Sequence, residues 1–344
     1  GDDGRHVKVD CTHGSKQGDV LGAYAFAAAF SRPMRETKAR YGDSVTILAI
    51  MDDVYLGAPV ADLHEIVMYF AQRAEVVGVS LNLGKSAVYW PGGNIPEECL
   101  PQITARNQGG LEVCHIPLGT DSYVQEYVQR ELLEMYDSLQ DRISELHEAQ
   151  VQYLMLRFCC VHNTVYWLRC LPPRQIMQLA TRHDANNLQT FKQIIGITGH
   201  LEDVERLQIR TPATHGGMGI AHCEQVCHAA YLGSYASTKV RVGEMLMHLH
   251  NGRVSRSMGD ADALADAGSQ LFADVRASHR WLEPKSRGAK VPLPPLNDLQ
   301  AAPAKAQRQF TKYVNAWRYR RLRSSARGQA DLARLRSCGG FMAS

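Results

Sequence analysis

The hydrophobic pattern changes period several times along the chain. Residues 6–10 alternate weakly and predict a short strand. Residues 11–19 hold two glycines and predict a loop. From Val20 to about Arg40 the chain is Ala-rich, with Tyr24, Phe26, Phe30 and Met34 at helical spacing, and Pro33 is expected to kink or break that helix. Val45 to Ile50 is a continuous β-prone run. Met51-Asp52-Asp53 follows, then Val54-Tyr55-Leu56 and a stop at Gly57-Ala58-Pro59. Two apolar runs around a tight acidic dipeptide predict a β-hairpin. Over residues 61–77 an amphipathic helix places Leu63, Ile66, Val67, Phe70, Ala74 and Val77 on one stripe, and Gly78 ends it.

Leu81 to Gly84 predicts a turn and Ser86 to Trp90 a strand. Residues 91–110 are loop-rich, and Leu111 to Leu118 predicts one more strand before a turn at Gly119-Thr120. From Ser122 to about His200 the period is helical, punctuated by Pro172-Pro173. Residues 211–219 predict a loop, and an Ala-rich helix runs to about Ser237. Residues 285–304 are Pro-rich and predict a linker. The expected fold class is α+β: a small antiparallel sheet with packed helices over residues 1–120, an all-helical region over 121–284, the linker, and a basic helical tail over 305–344.

Composition changes this picture little. The chain has 344 residues, 45% hydrophobic and 21% charged, as in ordinary globular proteins. It contains no apolar run long enough to span a membrane, so no membrane partner is expected. Its first residues resemble neither a signal peptide nor a presequence, and without an initiator Met the chain reads as cut from something longer. Nine cysteines without framework spacing predict free thiols, hence an intracellular location, nuclear or cytoplasmic, and not secretion. The net charge of +3 is uninformative, but between Pro303 and Arg336 ten Lys/Arg face one acid, Asp331. That segment is either a solvated helix face or a phosphate contact. His215, His222, Cys223, Cys227 and His228 raise a zinc reading, but finger-type ligand spacing is missing, and packed helix is the preferred one. Cys159-Cys160 reads as buried apolar filling.

The acidic hairpin carries the candidate chemistry. Two Mg²⁺ ions can clamp the attacking and leaving oxygens of a phosphoryl transfer, and Mg²⁺ takes hard carboxylate oxygens together with substrate phosphates. Adjacent acids at a rigid hairpin tip suit that work. Alone, Asp-Asp is an ordinary turn dipeptide. Its neighbours change its meaning.

Gly14-Ser15-Lys16-Gln17-Gly18-Asp19-Val20-Leu21-Gly22 resembles the G-x-x-Q-G-D-P-L motif of reverse transcriptases, with Val20 where Pro is usual. Ile50-Met51-Asp52-Asp53 resembles their Y-x-D-D box, with Ile50 replacing the aromatic. Leu81-Asn82-Leu83-Gly84-Lys85-Ser86 resembles the following L-N-x-x-K-S/T/C motif. Gln17 precedes Asp52 by 35 residues and Asp52 precedes Lys85 by 33, with the expected helix between. Ile116-Pro117-Leu118-Gly119-Thr120 resembles the turn after the palm in the non-LTR retrotransposon enzymes. Tyr166-Trp167-Leu168-Arg169, Leu171-Pro172-Pro173 and Gly216-Gly217-Met218-Gly219-Ile220 resemble stretches of their post-palm helices. Ala333 to Gly340 resembles a segment that continues in longer relatives.

The resemblance implies the C-terminal part of a palm followed by thumb-like helices, and an RNA-directed DNA polymerase activity using Mg²⁺, an RNA template, a DNA primer and a deoxynucleoside triphosphate. It implies that Asp52 and Asp53 are metal-side carboxylates. Lys85 would assist pyrophosphate departure, with an exposed turn lysine as the plain alternative. Ser15, Lys16, Gln17, Gly18, Met51 and Asn82 would lie against nucleotide or nucleic acid, with core packing as the alternative for Met51. Asp19 is read as a helix cap. As a thumb, the helices would grip duplex backbone through Arg157, Arg169 and Arg174.

One part of the pattern is missing. The family's palm carries another aspartate on a strand separated from the Gln-Gly loop by a helix. Here Asp10 leads directly into that loop. The fingers have no counterpart either. The expectation is therefore a domain fragment, inactive alone, that needs the missing palm and fingers polypeptide as partner. The alternative is a domesticated RNA-binding or scaffold subunit of a ribonucleoprotein, without catalysis.

Overall fold

The structure is a computed structural model that describes residues 19–91, 93–106, 109–251, 258–289, 291–301 and 306–326. Its class is α+β, mostly helical with small sheets. The chain divides into two compact units after Cys114. The predicted strand at residues 6–10 and most of the Gln-Gly loop lie outside the described residues.

In the first unit helix α1 spans Gly22–Tyr41. Of the kink or break expected at Pro33, the break does not occur: Pro33 lies inside the helix, and it is buried. Asp19 does act at the helix entry: its Oδ1 accepts the Leu21 N–H at 2.9 Å. Strands β1 (Thr46–Ile50) and β2 (Asp53–Gly57) pair antiparallel, with Met51 and Asp52 as a two-residue loop. Helix α2 (Val60–Glu75) buries Leu63, Ile66, Val67, Phe70 and Ala74, the stripe read from its spacing. Gly78, at φ +80°, ends it. Its N–H donates to the Glu75 carbonyl and that of Val79 to the Ala74 carbonyl, a Schellman closure that needs the left-handed residue a glycine supplies.

Two apolar clusters hold this unit together. Phe30, Phe70 and Ala74 join α1 and α2 to the inner hairpin face at Ala49, Val54 and Leu56. Leu63 and Val67 meet Leu100 and Ile103. Ion pairs fasten the helices outside the core: Glu36 takes Arg32 at 2.8 Å and also Arg73, while Arg40 and Tyr41 both reach Glu65. The strand expected after Ser86 is only β3 (Ala87–Val88), which runs parallel to β4 (Ala105–Arg106). The single strand expected over 111–118 is two, β5 (Gly110–Val113) and β6 (Ile116–Gly119). Cys114 and His115 between them both take positive φ.

The second unit is helical. Thr120 caps α3 (Asp121–Tyr127), accepting the Tyr123 N–H. A π-helical turn, Val128–Leu133, continues it into α4 (Glu134–Ser144). Helix α5 (Ala149–Met155) runs into a second π turn, Leu156–Cys160, before α6 (Val165–Cys170). Pro173 opens α7 (Pro173–Ile194), a position where its missing N–H costs nothing. Helices α8 (Asp203–Arg210), α9 (Cys223–Asn251), α10 (Met258–Ser286) and α11 (Ala306–Ser324) complete it.

The stretch expected to be a linker is packed instead. Leu293 and Leu296 lie against the cluster that contains Leu299, Phe310 and Val314. His279 and Tyr313 also bond the Pro294 and Pro292 carbonyls, at 2.8 and 3.1 Å. The apolar residues between the prolines outweigh the linker-like composition. Helix α11 is likewise part of the core: Phe310, Tyr313, Val314 and Leu322 are buried.

Candidate functional site

The hairpin tip is the first candidate. Directly paired residues share a face, so Ile47, Ala49, Val54 and Leu56 face the helices, while Leu48, Ile50, Asp53 and Tyr55 take the other side. The loop is Met51-Asp52, not Asp52-Asp53 as the sequence suggested. Asp53 is the first residue of β2, opposite Ile50. Asp52 and Asp53 are adjacent and exposed. Met51 has φ 58°, a region that costs a non-glycine residue about 1–2 kcal/mol. Primed two-residue hairpin turns demand positive φ there, and here the chain meets the demand without a glycine. On the acid face the Tyr55 hydroxyl accepts the Cys114 N–H at 3.0 Å, and burial raises its pKa. Leu48, Ile50 and Met51 are 48, 45 and 59% exposed, leaving this face of the hairpin largely bare among the described residues.

Lys85 and Asn82 sit on a turn tied to the same core. Leu81 packs against the cluster of Phe30, Phe70 and Ala74, as do Ala49, Val54 and Leu56, while Leu83 joins the cluster around Leu63. Asn82 has a structural duty: its Oδ1 accepts the Lys85 N–H at 3.1 Å, and its carbonyl accepts the Ser86 hydroxyl at 2.9 Å. Lys85 is exposed. Ser15, Lys16, Gln17 and Gly18 lie outside the described residues.

The donor chemistry of the tip was tested against Mg²⁺. Two neighbouring carboxylates match the one or two that Mg²⁺ usually takes. Among the described residues no third carboxylate, His or Cys joins them within ligand distance.

The second unit holds a different polar cluster, of which sequence reasoning singled out His222 alone. Asp184 on α7 is buried. Its Oδ1 accepts the Cys223 N–H at 2.7 Å and its Oδ2 the Glu224 N–H at 2.9 Å, capping α9 from another helix. Such a cap across 39 residues leaves no local signature in the chain. Burial raises the Asp184 pKa to about 6, against its two backbone bonds. His222 Nε2 lies 3.5 Å from Asp184 and 3.4 Å from Glu224. Despite those carboxylates the imidazole is neutral: burial, then Arg210 and Arg318, push its pKa down to about 3. These three residues have metal-ligand spacing, with ligand atoms within 4.8 Å of one another. Both Asp184 oxygens are already engaged, and two guanidiniums oppose a further cation, so the cluster works as a helix cap.

The residues weighed for zinc go elsewhere. Cys223 meets Thr164 at 3.2 Å, Cys227 bonds the Glu224 carbonyl, His228 stacks on Trp281, and His215 packs on Tyr319. Cys160 is buried as expected of apolar filling, whereas Cys159 is exposed, because successive helical residues point to different faces. Of the three arginines expected to grip a backbone, Arg174 is committed to Asp121 at 2.8 Å and Asp274 at 3.3 Å. Arg157 and Arg169 are not so paired and line cavities.

No family model, curated protein or solved structure matches this chain. None of its helices, among the described residues, is long and apolar enough to cross a membrane.

Proposed function

We propose that residues 1–120 are the C-terminal part of a reverse-transcriptase palm, and that Asp52 and Asp53 serve nucleotidyl transfer from a deoxynucleoside triphosphate to a DNA primer on an RNA template. The observation that supports this most is the acidic tip. Two adjacent exposed carboxylates sit on a hairpin backed by two helices, beside a residue held at φ 58°. The turn with Asn82 and Lys85, packed on the same apolar cluster, adds support. In this reading Asp52 and Asp53 hold Mg²⁺, which supplies charge neutralisation at the transferring phosphoryl group when bound. Lys85 places a cation near the departing phosphate, Met51 borders the primer end, and Gln17 and Gly18 flank the template pair. The helical residues after 120 act as the thumb.

A primer-extension assay tests the reading. The chain alone is expected to give no Mg²⁺-dependent synthesis. Fused behind a family palm segment bearing strand, aspartate and helix, it is expected to give synthesis that Asp53→Asn abolishes. Synthesis by the fusion that survives replacement of both Asp52 and Asp53 by Asn overturns the assignment.

A second reading, a non-catalytic RNA-binding subunit, draws its support from Arg157 and Arg169 on the cavity walls of the second unit.

A further inference from the structure

Two adjoining cavities in the second unit, of about 550 and 480 Å³, share Gln307, Thr311 and Asn315 of α11 on their walls. Six cations line them: Arg157, Arg169, Arg210, Arg308, Lys312 and Arg318. Among the described residues no Asp or Glu does. A chain with nearly balanced charges has here a wall of one sign, which focuses the field and attracts polyanions.

Arg318 is the anchor of this wall. It is 1% exposed. Its Nε donates to Gln225 at 2.8 Å, and its Nη1 to the Arg210 carbonyl at 3.1 Å and to Asn315 at 3.3 Å, while Nη2 has no partner. Burial lowers its pKa to about 10, so it remains charged at neutral pH. The buried Asp184 carboxylate already offsets part of the desolvation cost of this charge, and an anion in the cavity would offset more.

The rest of the wall is shaped around Arg157. That residue lies in the second π turn, the kind of helix irregularity common at working sites. The glycine-rich loop gives it room. Gly219 has φ +71°, and a Cβ there would come 2.9 Å from the Arg157 Nε. The Gly216-Gly217-Met218-Gly219 segment thus backs a guanidinium closely. Beside it Phe158, 59% exposed, also lines the cavity, with the Arg157 guanidinium 4.9 Å from its ring centre. An exposed aromatic ring next to cations is what a nucleic-acid strand needs: phosphates meet the charges and a base stacks on the ring.

We infer that this double cavity binds the phosphate groups of a single-stranded nucleic acid, with Arg318 as buried anchor and Phe158 as base platform. The inference rests on and deepens the RNA-binding reading of the second unit, and it does not depend on Asp52 or Asp53.

The test uses the full chain, a labelled single-stranded RNA and inorganic phosphate. Arg157→Gln with Lys312→Gln is expected to weaken RNA binding about tenfold or more and to lower the salt slope by about 1–2, in line with two lost phosphate contacts. Phe158→Ala is expected to weaken binding with the salt slope unchanged, a signature of stacking. Arg280→Gln on exposed α10 surface removes one charge away from the cavities and is expected to bind as wild type. RNA binding that falls no further in the cavity variants than in Arg280→Gln overturns the strand assignment. If inorganic phosphate then still raises the melting temperature of wild type but not of Arg157→Gln, the pocket holds a free anion and the nucleic-acid proposal is rejected. Absence of both effects rejects the pocket altogether.

Discussion

A β-carbon on Gly219 would lie 2.9 Å from the Nε of Arg157, closer than real β-carbons approach a neighbour, so the glycine loop lies tight against the guanidinium. The loop backbone is left-handed at that point, φ +71°. Gly219→Ala therefore meets strain and a clash together. The arginine side chain can swing aside, so the cost is moderate, about 1–2 kcal/mol, most of it from the backbone. Urea unfolding should show that loss. The variant's RNA affinity should fall along with it, because Arg157 no longer holds its place in the wall. Unchanged stability and affinity would mean that the close approach has no energetic consequence.

Met51 presents the opposite case, a side chain where glycine would be comfortable. At φ 58° it forfeits backbone energy that Met51→Gly recovers, although the added freedom of the unfolded chain takes some back. A net stabilisation of about 0.5–1 kcal/mol is expected by urea unfolding. In the fused polymerase the same change should reduce synthesis, because a looser tip holds Asp52 and Asp53 less firmly. A stabilised variant with full activity would separate the strain from the chemistry.

The sequence made the first unit's frame legible because its signals are local. The stripe from Leu63 to Ala74 and the stop at Gly78 each act within one or two turns, and Asp19 acts more locally still, bonding the Leu21 N–H two residues on rather than capping the helix. The hairpin was legible too, but its loop was misplaced by one residue. An acidic pair reads as a turn, whereas positive φ at Met51 has no mark in the chain. The second unit's polar wiring was not legible. Asp184 reaches α9 and Arg318 reaches Gln225 across 39 and 93 residues, and neither spacing follows a period. Arg174 looked like Arg157 in sequence, and only the folded positions of Asp121 and Asp274 distinguish them. The Pro-rich stretch misled because proline content was given more weight than Leu293, Leu296 and Leu299.

Acid should loosen the helical unit before carboxylate titration does. Burial is the leading cause that lowers the pKa values of His183, His222 and His228, to about 4, 3 and 4. In the unfolded chain these groups take up protons near pH 6.5. The unfolded state then binds more protons, so stability is full above pH 6.5 and declines as pH falls toward 4. Asp184 works in the opposite sense. Its native pKa of about 6 exceeds the ordinary 3.8, so protonation of the native state returns some stability as pH falls through 6. Three imidazoles outweigh one carboxyl. With one pKa unit worth about 1.4 kcal/mol, the net loss between pH 7 and 5 is on the order of a few kcal/mol. The urea midpoint measured across that range should drop, and His228→Asn should flatten the decline. A midpoint constant from pH 7 to 5 would refute neutral burial of these rings.

Asp184 also allows a choice between helix cap and metal ligand. As a cap it satisfies the Cys223 and Glu224 N–H groups at 2.7 and 2.9 Å. Asp184→Ala leaves both donors without their acceptor and should cost about 2–4 kcal/mol. Asp184→Asn keeps one acceptor oxygen and removes a buried charge, so its cost should be smaller, about 1 kcal/mol. A cap is indifferent to divalent ions, and Arg210 and Arg318 depress the charge-accepting capacity of the site, as the neutral His222 records. Melting the wild-type chain with zinc and with chelator should therefore give the same midpoint. A zinc-dependent rise of several degrees, lost in Asp184→Asn, would convert the Asp184, His222 and Glu224 cluster from a cap into a metal centre.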